Sequence, residues 1–477
     1  MMTSGQRLLV VSNRLPIVLR RDEDRWQVSA GAGGLVTALA PVIKANKGLW
    51  VGWPGCGDEA PVEPLLDQFG EAEGYQLASV PLSQQEVDRF YLGFSNETPW
   101  PLFHDMLGQC RFSTENWRSY QQVNRRFAEV VAGRADENDL IWVQDYQLAL
   151  VGEELRRLGV RQALGYFLHI PFPSPDLLRR LPWKQELLRG LLAYDLIGFQ
   201  TLRDRRNFVN SANMLLPEVE VIGRRRSHSL LRYGDRVIKA GHFPISIDSR
   251  EFENRARTHE VDEAAWFLHE KLAGRQLILG IDRLDYTKGL PQRFLAFERA
   301  LELDPALVGH CSLLQVVVPS RTLVPEYRDL KELLDRESGR INSRFSEAGW
   351  VPIHYHYRSL DPVQLLAHYR TCEIALITPL RDGMNLVAKE YCACSLDNNG
   401  VLILSEFAGA ADQMGNAALL VNPYDVDGTA EAICHAFHMP LEERQQRMRR
   451  LRGDLRRNDV HRWVGQFLKA LRGHMHG

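Results

Sequence analysis

Short continuous runs of apolar residues alternate with longer stretches of helical periodicity along most of the chain. The short runs predict buried strands at residues 7–12, 49–53, 139–144, 164–168, 196–199, 237–242, 276–281, 312–318, 353–357, 374–378 and 401–405, with a hairpin at 17–29. The periodic stretches predict helices, among them residues 36–45, 84–93, 117–133, 151–158, 187–193, 290–303, 327–338 and 460–471. Strands that alternate with helices favour parallel α/β sheets.

The alternation occurs twice, on either side of a segment without a regular pattern. A chain of 477 residues is too long for one compact core, so two domains are expected. The proline-containing segment 244–248 is typical of a linker, and it places the boundary between residues 247 and 248. Two similar α/β halves predict a ligand-binding cleft between them.

Composition narrows the class of function. Hydrophobic residues make up 45% of the chain, charged residues 25%, and the net charge is −2, which is typical of a soluble globular protein. No overall positive field favours nucleic acid or a membrane as a partner, and the arginine-rich stretches at 224–226 and 444–457 are interpreted as solvated faces. The 7 scattered cysteines lack metal-binding spacing and favour free thiols. Because neither a signal peptide nor a membrane-spanning run is found, a cytoplasmic location is expected.

Polar side chains follow three predicted strands of the first half, at Asn13, Asp145 and His169. Ligands of parallel α/β sheets bind beyond the carboxyl ends of the strands, so these residues are candidates for a binding site. His169 would act as a base, bind a ligand oxygen or serve only the structure, and the role of Asp145 is equally open. The glycine-rich turn at residues 31–35 would let the main chain approach a ligand, although it does not match the dinucleotide fingerprint.

Two cations follow the strand predicted at residues 276–281. Arg283 and Lys288 lie in the loop before the next helix, where they suit a pyrophosphate. The alternative is a surface loop in which Arg283 pairs with Asp285.

Further arginines and aromatic residues suit a second ligand. Arg14 and Arg321 lie at strand ends and would bind another phosphate, unless each is a salt-bridged surface arginine. Tyr91 and Trp100 would stack on a sugar ring, although most aromatic residues belong to the core. No HExxH, GxSxG or P-loop motif is present, so hydrolase and kinase functions lose support.

A strand, a loop and a helix follow one another at residues 374–390. The start of such a helix presents free N–H groups and the positive end of its dipole, which favour a phosphate. Asp382 lies in the loop and Glu390 about two turns further on, so two carboxylates flank the helix start. The arrangement would suit a sugar on one side and a ribose on the other. The alternative is an ordinary loop with a solvated aspartate.

Six motifs occur in a characteristic order. They are Ser12-Asn13-Arg14, Ala32-Gly33-Gly34-Leu35, Trp100-Pro101-Leu102-Phe103-His104, His169-Ile170-Pro171-Phe172-Pro173, Arg283-Leu284-Asp285-Tyr286-Thr287-Lys288-Gly289-Leu290, and the stretch from Thr378 to Glu390. Together they resemble the trehalose-6-phosphate synthases, from about residue 7 to residue 465. The resemblance implies the GT-B fold, an α/β architecture of two Rossmann-like domains facing across a cleft. The implied parts are an acceptor-binding domain at 1–247, a nucleotide-sugar-binding domain at 248–457, and a C-terminal helix at 458–477 that crosses back to the first domain.

The same resemblance implies a retaining transfer of glucose from a nucleotide-glucose, usually UDP-glucose, to glucose 6-phosphate. Arg283 and Lys288 would bind the donor pyrophosphate and stabilise the leaving nucleotide, and His169 would contact the donor glucose. The remaining donor-binding groups would be Gly34 beside the phosphate, Asp382 on the glucose, the main chain of Met384, Asn385 and Leu386, and Glu390 on the ribose.

On the acceptor side, the resemblance implies that Arg14 and Arg321 bind the phosphate of glucose 6-phosphate. Tyr91 and Trp100 would line that site, and Asp145 would bind the acceptor sugar and take part in catalysis. Because fixed cations and a helix dipole would neutralise the leaving group, neither a metal nor another cofactor is expected. The family suggests a homodimer or homotetramer.

One departure and two alternatives accompany this interpretation. The family commonly has His-Asp-Tyr-His-Leu where this chain has Gln144-Asp145-Tyr146-Gln147-Leu148, and glutamine cannot titrate near neutral pH. A sister synthase that uses ADP-glucose and glycerol 3-phosphate shares the donor motifs, but the first two motifs above match the trehalose branch. A sugar-phosphate sensor without catalysis should have lost donor-binding residues, which are all present here.

Overall fold

Two compact units make up the chain. The computed structural model describes residues 6–22, 25–31, 34–56, 61–272, 274–321 and 324–473. The first unit comprises the described residues of Met1–Ile245 together with those of Val460–Gly477, and the second comprises those of Ser246–Asp459. Each unit is built on its own mainly parallel sheet.

A nine-stranded sheet is the centre of the first unit. The strands of this unit are β1 (Leu8–Arg14), β2 (Ile17–Asp22), β3 (Arg25–Ala30), β4 (Leu49–Trp53), β5 (Gln76–Ser79), β6 (Leu140–Gln144), β7 (Ala163–Leu168), β8 (Leu196–Phe199), β9 (Val219–Arg224), β10 (His228–Tyr233) and β11 (Arg236–His242). The sheet has the order β5-β4-β1-β6-β7-β8-β11-β10-β9, and β2 and β3 form a separate hairpin. It is parallel from β5 to β11. Strands β9 and β10 are antiparallel.

Three strands of this sheet, β5, β9 and β10, escape the sequence prediction, which gave the parallel part of the sheet but not the antiparallel strands β9 and β10. Strand β5 has only four residues. In β9, the exposed side chains of Glu220 and Arg224 accompany a buried Val219. Such edge strands are only half buried and lack the continuous apolar run by which central strands are detected.

Helices cover the strands of the first unit. They are α1 (Gly34–Ala45), α2 (Val62–Glu73), α3 (Gln84–Glu86), α4 (Pro99–Phe103), α5 (Thr114–Ala132), α6 (Val151–Arg157), α7 (Pro175–Leu178), α8 (Lys184–Leu192) and α9 (Leu202–Leu215). Helix α3 continues as a π-helical segment, Val87–Ser95. Trp100 lies in the five-residue α4.

The second unit has a six-stranded, fully parallel sheet. Its strands are β12 (Gln276–Arg283), β13 (Cys311–Val318), β14 (Ile353–Tyr357), β15 (Ile374–Ile377), β16 (Val401–Ser405) and β17 (Leu419–Val421), in the order β14-β13-β12-β15-β16-β17. Its helices are α10 (Ser249–Arg255), α11 (His259–Lys271), α12 (Leu290–Leu303), α13 (Pro325–Phe345), α14 (Pro362–Thr371), α15 (Leu386–Cys394), α16 (Ala411–Met414), α17 (Val426–His438) and α18 (Leu441–Arg457).

The last helix, α19 (Val460–Arg472), returns to the sheet of the first unit. The ring of Phe467 stacks on Trp142 of β6, with 4.2 Å between the ring centroids. Glycines in β7 and β8 make room for it, since a Cβ atom on Gly165 or Gly198 would lie 2.8 Å from the Phe467 ring. The predicted fold class, parallel α/β sheets in two units with a returning C-terminal helix, is therefore confirmed. No helix within the described residues has the length and apolarity to cross a membrane.

Candidate active site

The sheet of the second unit has a topological switch point at β12. Its neighbours β13 and β15 lie on opposite sides of it, and ligands of open α/β sheets bind beyond the strand ends at such points. Arg283 is the last residue of β12 and is exposed. The loop after β15 is fastened to this strand end, because the N–H groups of Leu380 and Arg381 donate to the carbonyl oxygen of Thr287 at 2.8 and 3.4 Å. The two loops that contain the predicted donor-binding residues are therefore adjacent.

Lys288 and Asp382, predicted to bind different parts of one donor, form an ion pair. The ammonium nitrogen of Lys288 donates to Oδ2 of Asp382 at 2.6 Å. The amide of Asn385 donates to the same oxygen at 3.2 Å. Both partners are largely buried, with 10% and 16% of their side chains exposed. The sequence predicted these residues individually but not their contact.

The start of α15 is shaped by a neighbouring loop. The side chain of Asn385 caps the helix by accepting from the N–H of Ala388 at 3.1 Å. The N–H of Ala410 donates to the carbonyl oxygen of Met384 at 2.7 Å, and that of Gly409 to Asp382 at 3.1 Å. A Cβ atom on Gly409 would clash with the carbonyl oxygen of Gly383. Hydrogen bonds from Gly409 and Ala410 thus hold the main chain at the helix start, where a phosphate is predicted to bind.

Glu390 lies further along α15, where its carboxylate accepts a hydrogen bond from Tyr369 Oη to Oε2 at 2.8 Å. Burial raises the pKa of Glu390, and the bond from Tyr369 only partly offsets that shift. The neighbouring Lys389 points the opposite way, with its ammonium nitrogen 2.6 Å from Oε1 of Gln413. Burial lowers the pKa of Lys389 to about 7. Among the described residues, the hydrogen bond from Tyr369 to Oε2 is the one that the Glu390 carboxylate accepts, so Oε1 is available to a ligand hydroxyl.

A buried arginine joins the strand ends beneath this site. The guanidinium of Arg293 is 0% exposed, and it donates to Asp282 at 2.7 Å, Gln315 at 3.2 Å and Thr378 at 3.2 Å. These partners come from the carboxyl ends of β12 and β15 and from β13. Burial raises the pKa of Asp282 despite the charge of Arg293. The sequence prediction missed Arg293, although its spacing from Leu290 and Phe294 places it on the apolar face of α12.

Arg321 lies near the same strand end, in the left-handed region with φ 49°. Its guanidinium donates to Oη of Tyr327 at 2.6 Å and lies 4.0 Å from Oδ2 of Asp285. Burial alone would raise the pKa of Asp285, but Arg321, Lys288 and Arg283 together hold it below its ordinary value. Three of the predicted phosphate-binding cations therefore act on the charge of one buried carboxylate. The alternative of a surface loop with a pair between Arg283 and Asp285 is wrong, because Asp285 is buried and its ion-pair partner among the described residues is Arg321.

In the first unit, Arg14 and Tyr91 are brought together by a tryptophan. The guanidinium carbon of Arg14 lies 4.4 Å from the ring centroid of Trp53, and the rings of Trp53 and Tyr91 are 6.3 Å apart. Gly55 has φ +85°, and a Cβ atom there would lie 2.5 Å from the Arg14 guanidinium. Trp53 was not predicted, although it ends β4, the strand beside β1. This cluster presents one exposed cation on an aromatic support.

Asp145 and Trp100 occupy the ends of β6 and α4. Asp145 has φ 71°, a costly conformation for a non-glycine residue and one that is frequent at functional sites. Trp100 is only 6% exposed, with its ring 5.7 Å from Tyr146 and 4.3 Å from His104. Stacking of Trp100 on a sugar remains a prediction. Because the side chain is buried, only a small part of its ring is open to a ligand.

His169 follows β7 and binds both residues at the end of β6. Its main-chain N–H donates to Oδ1 of Asp145 at 3.2 Å, and its Nε2 lies 2.9 Å from Oε1 of Gln144. Burial lowers the pKa of His169 to about 3, so the ring is neutral. Gly34, the remaining predicted residue, begins α1, whereas Ala32 and Gly33 of the same motif lie outside the described residues. Within the described part of the chain, no group of three histidine, cysteine or acidic residues could hold a metal ion.

Two mainly parallel α/β units, with cations and carboxylates at the switch point of the second, are the architecture and site expected of a glycosyltransferase of the GT-B type. The model of glycosyltransferase family 20 matches residues 6–473. The chain therefore belongs to glycosyltransferase family 20, and the predicted family and enzyme class are confirmed.

Relatives support this assignment over nearly the full length. The trehalose-6-phosphate synthase of Mycolicibacterium vanbaalenii is 41% identical over 477 residues, which cover 98% of this chain and 96% of that protein. A UDP-forming α,α-trehalose-phosphate synthase from Burkholderia xenovorans, solved in complex with glucose 6-phosphate, has a TM-score of 0.87 at 36% identity, with 98% and 100% of the chains covered. A structure from E. coli with UDP-2-fluoro glucose bound also has a TM-score of 0.87 at 36% identity, with 98% of each chain covered.

Proposed function

We propose that this glycosyltransferase transfers glucose from UDP-glucose to glucose 6-phosphate and so forms trehalose 6-phosphate and UDP. The observation that carries the proposal is the ion pair of Lys288 and Asp382 at the switch point, beside the exposed Arg283. Support comes from the solved relatives that contain glucose 6-phosphate and a UDP-glucose analogue. Their identity to this chain, 36%, extends over 98% of its length.

The donor would be held by the second unit. Arg283 and Lys288 would bind the pyrophosphate, and the N–H groups from Met384 to Leu386 would add the positive end of the α15 dipole. Asp382 would hydrogen-bond the glucose, and the free oxygen of Glu390 would accept from the ribose hydroxyls. From the first unit, Gly34 and His169 are proposed to contact the donor phosphate and glucose.

The acceptor would be held by Arg14 through its phosphate. The support of Arg14 by Trp53 fixes the guanidinium without neutralising it, because an aromatic face attracts a cation but has no net charge. Tyr91 and Trp100 would flank the sugar, and Asp145 would accept a hydrogen bond from one of its hydroxyls. Binding of the acceptor phosphate by Arg321 stays a prediction.

The leaving nucleoside diphosphate gains negative charge as its bond to glucose breaks. Arg283, Lys288 and the start of α15 would neutralise that charge, and such fixed positive groups are usually the largest single contribution to catalysis. In this proposal the leaving phosphate takes the proton of the acceptor hydroxyl on the same face of the sugar. Configuration is then retained without a nucleophile from the protein, and no metal is required.

Initial rates with four donors and two acceptors test the proposal. UDP-, ADP-, GDP- and TDP-glucose are each combined with glucose 6-phosphate or glycerol 3-phosphate, with and without EDTA, and nucleoside diphosphate release is measured. The expected result is release from UDP-glucose with glucose 6-phosphate, insensitive to EDTA, and an α,α-linked product by NMR. Release only with glycerol 3-phosphate would identify the sister synthase, and no release with any pair would point to a sensor.

A further inference from the structure

Gln144 is a fully buried polar side chain in direct contact with His169. It is the last residue of β6 and is 0% exposed, and its Oε1 lies 2.9 Å from Nε2 of His169. The two strands are neighbours in the sheet, with Gln144 paired to Phe167. Asp145, the next residue, accepts from the main-chain N–H of His169 at 3.2 Å. Gln144, the last residue of β6, and Asp145, which follows it, thus hold the ring and the main chain of one histidine.

The ring of His169 has aromatic surroundings. Its centroid lies 4.7 Å from that of Phe167 and 6.3 Å from that of Trp463 on α19. Desolvation is the only contribution to its pKa, which falls to about 3. The charged group in contact with this residue is Asp145, which touches the main chain and not the ring. The imidazole is therefore neutral, and its single proton lies on either Nδ1 or Nε2.

The contact with Gln144 selects between these two tautomers. An amide oxygen can only accept, so a hydrogen bond from Nε2 to Oε1 requires the proton on Nε2 and leaves the lone pair on Nδ1. Glutamine does not titrate, so this choice is independent of pH. A carboxylate in the same place would instead favour the doubly protonated ring.

Gln144 contributes to stability through its contact with His169 but carries a cost elsewhere. Its Nε2 is buried and has no hydrogen-bond partner among the described residues. The unpaired buried amide nitrogen destabilises the folded protein, while an apolar side chain of similar size would avoid that cost but leave Nε2 of His169 without its acceptor. The contact with His169 is thus retained at a cost, which is typical of residues that serve a site.

We propose that Gln144 is a positioning residue that fixes His169 as the uncharged Nε2–H tautomer against the transferred glucose. This inference rests on the proposed function, in which His169 contacts the donor sugar. Positive charge develops on the sugar ring as the glycosidic bond breaks. A neutral ring with a fixed lone pair avoids repulsion of that charge, and an imidazolium ring would not.

Two variants separate positioning from structure. Gln144→Met removes the acceptor at nearly constant volume, and Gln144→Glu replaces it by a carboxylate. Gln200→Met is a matched control at the end of β8, the strand beside β7, since Gln200 is also buried but its Oε1 accepts from the N–H of Ile245 at 2.9 Å and not from His169. The measurements are the tautomer and pKa of His169 by long-range ¹⁵N–¹H NMR, the pH profile of kcat, and Tm.

The expected wild-type spectrum shows the Nε2–H tautomer without titration between about pH 5 and 9. Gln144→Met changes Tm little, because removal of the unpaired amide nitrogen offsets the lost acceptor of His169, and it mixes the tautomers and lowers kcat about tenfold, with KM for glucose 6-phosphate nearly unchanged. Gln144→Glu introduces a protonation of His169 that also appears as a new step in the kcat profile. Gln200→Met lowers Tm and leaves the His169 tautomer as in wild type.

An Nδ1–H tautomer in the wild type, or a Gln144→Met variant with wild-type kcat, would overturn the proposal. The two proposals fail in different ways. A wild-type protein that forms no trehalose 6-phosphate refutes the proposed function and the role assigned to His169, while the NMR measurement still decides whether Gln144 sets the tautomer. An active wild type with an unaffected Gln144→Met variant refutes only the positioning role.

Discussion

The ammonium group of Lys288 lies 2.6 Å from Oδ2 of Asp382, so the predicted pyrophosphate-binding cation and the predicted glucose-binding carboxylate are in direct contact. Each residue therefore partly neutralises the charge with which the other acts on a ligand. Removal of either side chain leaves the charge of the other without its ion-pair partner in a site with little exposure. This costs more free energy than replacement of both charges together.

This contact predicts strong coupling between the two residues. Lys288→Met and Asp382→Asn should each lower kcat/KM by more than about 100-fold, and the double variant should lose less than the product of the two effects. Steady-state rates for the four proteins form the cycle, with an expected coupling energy of about 0.5–3 kcal/mol. Strictly multiplicative effects would contradict a functional ion pair.

Arg283 offers a cleaner test of leaving-group stabilisation, because it is exposed at the end of β12. Arg283→Ala should lower kcat about 100- to 1,000-fold and leave Tm within about 1 °C of wild type, since Arg283 is exposed and Arg321 and Lys288 still act on the charge of the buried Asp285. UDP release at saturating substrates measures the effect. Arg450→Ala, an exposed arginine on α18, is the control and should retain full activity. Near-normal turnover of Arg283→Ala would show that Arg283 does not stabilise the leaving group.

Tyr369→Phe tests the support of Glu390. The hydrogen bond from Tyr369 lowers the pKa of Glu390, which burial otherwise raises, so its loss should raise that pKa further. A protonated Glu390 accepts more weakly from a ribose, and donor binding should therefore weaken as pH falls, starting at a higher pH in the variant. KM for the donor, measured from about pH 5 to 8, should diverge from wild type at the acidic end. Identical profiles would show that Tyr369 has no such role.

Gly409→Ala tests the support of the α15 start. The added methyl group would clash with the carbonyl oxygen of Gly383, so the loop at the helix start must shift. We expect a loss of about 1–3 kcal/mol in the free energy of unfolding and a higher KM for the donor. Gly339→Ala in α13, where a Cβ atom meets nothing within 4 Å, is the matched control. It should be neutral or stabilise by about 0.5–1 kcal/mol.

The central strands were predictable because they are buried on both faces. All five residues of β6 and all six of β7 are buried, and their continuous apolar runs allow no other interpretation. By contrast, β10 alternates buried Ser229 and Leu231 with exposed Arg232, and its apolar content is too low to distinguish it from a loop. Strands at and next to a sheet edge, such as β9 and β10, depend on pairing with a neighbour, which a local pattern does not contain.

The candidate site also has residues that the sequence predicts and contacts that it does not. Arg283 and Asp382 were predictable because they follow buried strands, and strand ends of a parallel sheet converge. The contact of Lys288 with Asp382 spans 94 positions in sequence, and that of Arg293 with Thr378 spans 85. Such contacts are determined by how strands and helices pack, so residue type and spacing could not reveal them.

Because α19 closes the sheet of the first unit, the order of synthesis matters for this chain. Phe167 and Phe467, whose rings lie 5.9 Å apart, are separated by 300 positions. At ribosomal rates of roughly 5–20 residues per second, the sheet face that contains Trp142 and Phe167 is synthesised about 15–60 s before α19, the helix that packs on it. The second unit is complete in sequence before that helix emerges. Until then, the nascent first unit exposes an apolar surface of the kind that chaperones bind. Chains that end before residue 460 would keep this aromatic surface exposed and would tend to aggregate.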